Sequence, residues 1–200
     1  MDPAGDGALA RQVHFLLEAD RLKGVLRQTL LLDRSRRENS AEHSWHLALM
    51  ALVLRAHAPD DLDLGAVLGM LAVHDLVEID AGDTFLYDEA GAATKAEREA
   101  AAADRLFGLL PPEQARDLRA LWEAFEARQS PEARFAAALD RLQPLLHNVH
   151  TGGASWRAHR IRRSQVEARA RQIAEGSPAL GDLAARLIAE AAARGDLLPD

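Results

Sequence analysis

Cysteine is absent from this 200-residue chain. Its absence excludes disulfides, thiolate zinc sites, iron–sulfur clusters and cysteine nucleophiles, so any metal must be held by histidine and carboxylates. Aromatic residues are scarce, at 4%, which leaves alanine and leucine to fill the core. Thirteen glycines and eight prolines are too few for a disordered chain or a many-turned β fold. No apolar run approaches the ~18 residues that span a bilayer. The opening string MDPAGDGALARQ is partly acidic and has no apolar signal core. A cytoplasmic protein without a membrane partner is expected. Basic residues are in deficit, 24 against 31 acidic, for a formal net charge of -7. Phosphate backbones are bound by positive surfaces, so no nucleic-acid partner is expected. The short basic string WRAHRIRR (156–163) does not change this. Arg160, Arg162, Arg163, His57 and His150 are read as surface positions.

What is present is 48% hydrophobic and 28% charged, a globular composition of single-domain size. The apolar period is helical almost throughout, and no strand alternation stands out. Residues 1–7 read as a loose tail and 8–195 as one all-α domain without internal repeats. A helix is expected from Leu9 to about Leu30, and another from Ala41 to about His57 with Ser40 as its cap. A third, apolar and central, is expected from Leu64 to about Glu78. The string DAGDTFLYDEAGAAT (80–94) is the one long irregular stretch, and such loops often carry function. Helices follow over 95–109, from Pro111-Pro112 to about Gln129, and from Ser130-Pro131 to about Val149. Gly152-Gly153 breaks the chain before two more, over 157–175 and 178–194.

Three polar intrusions point to chemistry. GAVLGMLAVHDLVEIDAGD (65–83) sets His74 and Asp75 inside an apolar run. A buried carboxylate needs hydrogen bonds, an ion pair or a metal, and no lysine or arginine lies between Arg55 and Lys95. Glu78 is i,i+4 from His74 and i,i+3 from Asp75, so the three can border one site. ENSAEHSWHLALMALVL (38–54) places His43 at the start of an apolar helix, where an imidazole is held neutral and suits metal ligation. His46 and Trp45, in the same string, read as packing residues. RFAAALDRLQPLLHNVH (134–150) carries Asp140, Gln143 and His147 as an i,i+3,i+7 stripe. Taken alone, that stripe is a solvated helix face. Two imidazoles and two carboxylates from three helices form an all-N/O set suited to one divalent ion of the Mn, Co, Mg, Fe or Zn class. Such an ion can bring the pKa of its bound water towards neutrality.

H…HD…D on successive helices resembles the signature of the HD-domain phosphohydrolase superfamily. RRENSAEHSWHLALMA, AVHDLVEIDAGDT and FAAALDRLQPLLHN are similar to strings of its bacterial and eukaryotic 5′-deoxynucleotidases. The likeness runs from about Leu16 to Val166. It implies an HD-type helical bundle in which His43, His74, Asp75 and Asp140 hold one divalent metal. It implies catalytic roles for Glu78 and Asp83, a phosphate contact from Arg27 and a homodimer. Arg36 and Arg37 are added as phosphate candidates. The family pattern has tryptophan after that arginine, where this chain has Gln28, and the loop before His43 is a residue longer. Trp156 and His159 are expected near the pocket or a dimer contact. Asp80 and Asp88 are expected to be solvated. The implied activity is hydrolysis of deoxyribonucleoside 5′-monophosphates by a metal-activated water. Hydrolysis of another small phosphate ester or a nucleoside triphosphate is an alternative, as is a non-catalytic module that binds metal and nucleotide.

Overall fold

The computed structural model describes residues 7–200 and is a helical bundle with one small hairpin. The tail expected over 1–7 lies, apart from Gly7, outside the described residues. Helix α1 spans Ala8–Ala19 and ends much earlier than its apolar period implied. A 3-10 turn, Asp20–Gly24, leads into strand β1, Leu26–Leu30. Strand β2, Arg37–Asn39, pairs with it antiparallel, matching Leu26 with Asn39 and Leu30 with Arg37 across a shift in register. The single long helix expected over 9–30 is therefore replaced by helix, turn and strand.

Helix α2, Ser40–Val53, starts at a capping box. The Asn39 side chain accepts from the Glu42 amide, and the Glu42 carboxylate accepts from the Asn39 amide. The cap is thus Asn39, and Ser40 is free for another partner. Helix α3, Leu64–Val73, is capped by Asp63. The chain then tightens through His74 and Asp75 into a short helix α4, Glu78–Ala81. The expected helix over 64–78 breaks here, which turns the His–Asp pair inward.

Helix α5 runs Glu89–Phe107 and takes up the end of the stretch expected to be irregular. Helix α6, Pro112–Ala127, and helix α7, Pro131–His150, each begin with proline in the first turn, where its missing N–H costs nothing. Ser130 caps α7 through the Ala133 amide. Helices α8 (Ala154–Ala158), α9 (Arg163–Gly176) and α10 (Pro178–Ala193) follow.

Helix α7 is the central element and is buried along most of its length. One core joins α2, α3, α7, α9 and α10 through Leu47, Leu71, Phe135, Leu139, Leu142, Ile173 and Ile188. A second joins α1, the end of α3, α5 and α6 through Phe15, Val73, Phe107 and Trp122. Close approach of α9 to α7 requires glycine at Gly176, where a Cβ would run into the Arg134 carbonyl. Leu197 joins the core, and Leu198 bonds to Ile161 and Arg163, so packing continues past residue 195.

Candidate functional site

Polar side chains converge where α2, the α3–α4 turn, α7 and β1 meet. His43 comes from the first turn of α2, His74 and Asp75 from the turn after α3, and Asp140 from the middle of α7. All four are buried. The ligating atoms of His43, His74 and Asp140 lie within 4.8 Å of one another. His43 Nε2 is 3.0 Å from Asp140 Oδ1, and His74 Nε2 is 3.1 Å from Asp75 Oδ1.

The His74 tautomer follows from its other ring nitrogen. His74 Nδ1 lies 3.0 Å from the Leu71 carbonyl, an acceptor only, so it carries the proton. His43 lies between two acceptors, Gln143 Oε1 at 3.2 Å from Nδ1 and Asp140 Oδ1 at 3.0 Å from Nε2, so a cation that takes Nε2 leaves the ring proton on Nδ1 towards Gln143. Burial holds both rings neutral; it is the first cause of the low His43 value, about 3, and of the lowered His74 value. His74 Nε2 is left buried with no hydrogen-bond partner. A buried bare nitrogen is costly, and a cation bound to it removes that cost. The donor set therefore fits a divalent metal.

Arg27 reaches in from β1. Its Nη1 donates to Asp75 Oδ2 at 3.1 Å and lies 4.0 Å from Asp83 Oδ1. It is the cation that sequence spacing did not supply for the His–Asp pair. Burial opposes its charge, but Asp75, Glu78, Asp140 and Asp83 outweigh burial and raise its pKa. Ser40 Oγ donates to Glu78 Oε2 at 2.6 Å. Burial raises Glu78 well above the usual carboxylate range, with Asp75 adding to it. Burial also raises Asp83, and pushes Asp75 up to about 8. For Asp140 burial works upward, yet the Arg141 charge holds it well below the ordinary value. Arg141 Nη1 donates to Asp140 Oδ2 at 2.8 Å, leaving Oδ1 to face the histidines.

These groups open onto a cavity of about 230 Å³. Arg27, Asp75, Glu78, Asp83 and Asp140 line one part; Phe85, Tyr87, Lys95, Glu99 and Trp156 line the rest. Phe85 meets Tyr87 edge-on at 5.3 Å and the His159 ring at 4.4 Å. Burial pushes the Tyr87 hydroxyl up to about 12. The 80–94 stretch thus supplies pocket residues, and its aromatics were the unread signal. Asp80 pairs with Arg105 and Asp88 caps α5, both away from the cavity.

Two expected phosphate contacts are not brought to this cavity. Arg36 is exposed and paired bidentately with Glu42 at 2.6 and 2.8 Å, because the α2 capping box fixes that carboxylate beside it. Arg37 is also exposed, on a solvent-facing register position of β2. The Asp140–Gln143–His147 stripe is buried, not solvated, because α7 is covered on nearly all sides. Trp45 is exposed, not core. Glu38 is buried and unanticipated; burial raises it to about 7 against the pull of Arg27.

Comparison with known proteins agrees with this geometry. A family model described as HD domain matches residues 19–181. The 5′-deoxynucleotidase HDDC2 of Mus musculus is 31% identical over 144 residues, covering 72% of this chain and 71% of that one. The Homo sapiens protein of the same name is also 31% identical over 144 residues, with 72% and 69% covered. Among solved structures, a predicted metal-dependent phosphohydrolase from Magnetospirillum magnetotacticum MS-1 is 54% identical, with a TM-score of 0.94 and 100% of both chains covered. The PH0347 protein from Pyrococcus horikoshii OT3, 21% identical with a TM-score of 0.59 over 88% of this chain and 97% of its own, shares the fold. With the family model spanning residues 19–181, most of the bundle, the chain belongs to the HD domain family.

Proposed function

We propose that this protein is a metal-dependent phosphohydrolase that removes the 5′ phosphate from deoxyribonucleoside monophosphates. The observation that carries the reading is the buried His43–His74–Asp140 donor set, with His74 Nε2 left without a hydrogen-bond partner, beside an arginine in a cavity. His43, His74, Asp75 and Asp140 would hold the metal. When bound, a divalent ion supplies Lewis-acid stabilisation of phosphoryl oxygens and a more acidic water. The relatives named 5′-deoxynucleotidase HDDC2 support the substrate class.

The protein's own groups divide the remaining work. Arg27 lines the cavity with charge held on, so it neutralises and orients the phosphate dianion. Glu78, fixed through Ser40, receives the proton of the attacking water. Asp83 delivers a proton to the departing 5′ oxygen as the P–O bond breaks. Phe85, Tyr87 and Trp156 give the nucleoside an apolar wall. The protein is further proposed to act as a homodimer.

Phosphate release from the deoxy- and ribonucleoside 5′-monophosphates tests the proposal, with the protein stripped of metal and then given Mn²⁺, Co²⁺, Mg²⁺ or Zn²⁺. Release that depends on metal and vanishes in Asp75→Ala is expected. A metal-loaded protein that releases phosphate from none of them overturns it.

A further inference from the structure

Behind His43 lies a second polar cluster, formed by Glu38, His46 and His147, whose ligating atoms also lie within 4.8 Å of one another. Its centre is filled by the amide nitrogen of Gln143. Gln143 Nε2 is 2.6 Å from Glu38 Oε1, 3.2 Å from His147 Nε2 and 3.5 Å from His46 Nδ1. Gln143 and Glu38 are almost wholly buried.

The direction of every bond in this cluster is set from its far end. His147 Nδ1 lies 3.0 Å from the Leu30 carbonyl of β1, so that nitrogen carries the proton and Nε2 accepts. Glu38 Oε1 accepts whether or not the other carboxyl oxygen is protonated. Both acceptors therefore require the Gln143 NH₂, whose two hydrogens they consume. A flipped amide would set its oxygen against the bare Nε2 of His147, so this orientation is favoured. Its oxygen is left pointing at His43 Nδ1 at 3.2 Å. That oxygen can take the His43 proton, and with the proton on Nδ1 the Nε2 nitrogen is bare.

We propose that Gln143, held by Glu38 and His147, is a positioning residue that fixes the His43 tautomer and presents Nε2 to the metal site. The Glu38–His46–His147 group is thus the frame of a relay and holds no metal of its own. Without the amide, His43 gains more by moving its proton to Nε2, where Asp140 Oδ1 waits at 3.0 Å. A proton on Nε2 blocks ligation. Outer partners of ligating histidines typically account for ~10–100-fold in metal affinity.

The consequence for affinity rests on the metal reading above; the tautomer does not, so the two can fail separately. The tautomer is read in the metal-free protein from long-range ¹H–¹⁵N correlations of the imidazole rings. Wild type is expected to show His43 protonated on Nδ1. Gln143→Met, similar in length but without the amide, is expected to move that proton to Nε2. Its affinity for Mn²⁺, measured by electron paramagnetic resonance, should fall by ~10–100-fold. Gln143→Glu keeps an acceptor towards His43 and is expected to keep the Nδ1 proton. A merely structural role gives the reverse order, since methionine packs well in a core and a second buried carboxylate beside Glu38 does not. An unchanged His43 tautomer in Gln143→Met overturns the proposal, and that comparison stands even if Gln143→Glu does not fold. A coordination shift at His147 Nε2 on adding Mn²⁺ also overturns it, because the cluster would then be a metal site. Loss of Mn²⁺ binding in wild type with the Nδ1 tautomer intact would instead count against the metal reading alone.

Discussion

His43, His74, Asp75 and Asp140 were legible in the sequence because each interrupts an apolar run, and burial of such a group needs a reason. Arg27 was legible only through family resemblance, since its own segment looks like one more amphipathic turn. Glu38 was not legible, because a carboxylate in the polar string RREN gives no sign of being buried, and Gln143 was seen only in a stripe read as a solvated helix face. Two expectations belong to single residues. Glu78 and Asp83 line the cavity, and the proposed mechanism gives them proton transfer, not ligation. Alanine at either should lower turnover by ~10²–10⁴-fold while leaving metal content near wild type, as checked by elemental analysis. Metal loss in either variant would make that residue a ligand. The second concerns protons. Burial, with Asp140 and Asp83 nearby and against the pull of Arg27, pushes Asp75 up to about 8, so the metal-free site holds more proton at pH 6 than at pH 8. A divalent cation favours the ionised form, so binding must expel protons. Affinity for Mn²⁺ should therefore rise between pH 6 and 8. Calorimetry in buffers of different ionisation enthalpy should register net release, and proton uptake would contradict the assignment.

Elements were harder to read than residues wherever a segment was short. VLRQTLL places leucines at helical spacing, and strands of five and three residues are too brief for alternation to show, the more so with a register shift between them. The break after α3 was hidden for a different reason. Apolar residues continue through Leu76 and Val77, so hydrophobic pattern alone cannot place the helix end. The local signal was Gly82, which ends α4 at φ 76° and ψ 151°. Only glycine adopts that region without strain, and a side chain there costs ~1–3 kcal/mol. A Cβ at Gly82 would meet nothing within 4 Å, so the cost is conformational and not a clash. The turn it makes separates Glu78 from Asp83 and aims both at one cavity. Gly82→Ala should lower stability by ~1–3 kcal/mol, a fall of roughly 2–12 °C in melting temperature for a chain of this size. Turnover should fall with it as Asp83 moves. Wild-type melting in that variant would show that the turn accepts a side chain.

For the whole molecule, apolar residues alone do not say which are inside. Trp45 looked like core by type, yet it is 67% exposed, and Val53 on the same helix is 70% exposed. Trp45, Leu49 and Leu52 fall at i, i+4 and i+7, one stripe along α2, while His43, Leu47, Met50 and Ala51 bury the opposite side. Leu9, Val13, Leu16 and Leu17 repeat the arrangement on α1. Scattered exposed leucines need no explanation, but aligned stripes of this kind mark contact surfaces. A second copy of the chain is the economical occupant, because a two-fold axis covers the same stripe on both protomers. The stripe on α2 shares its helix with the proposed ligand His43 but faces away from it. Association and metal binding should therefore separate in a variant. Sedimentation velocity at micromolar concentration is expected to give a dimer for wild type and a monomer for Trp45→Asp combined with Leu49→Asp, since burying two carboxylates in an apolar contact costs several kcal/mol. Mn²⁺ affinity of the monomer should stay within about threefold of wild type, because the substituted side chains lie on the outer face; a monomeric wild type would remove the homodimer from the proposal, and a loss of metal on monomerisation would show that the interface holds α2 in place for His43.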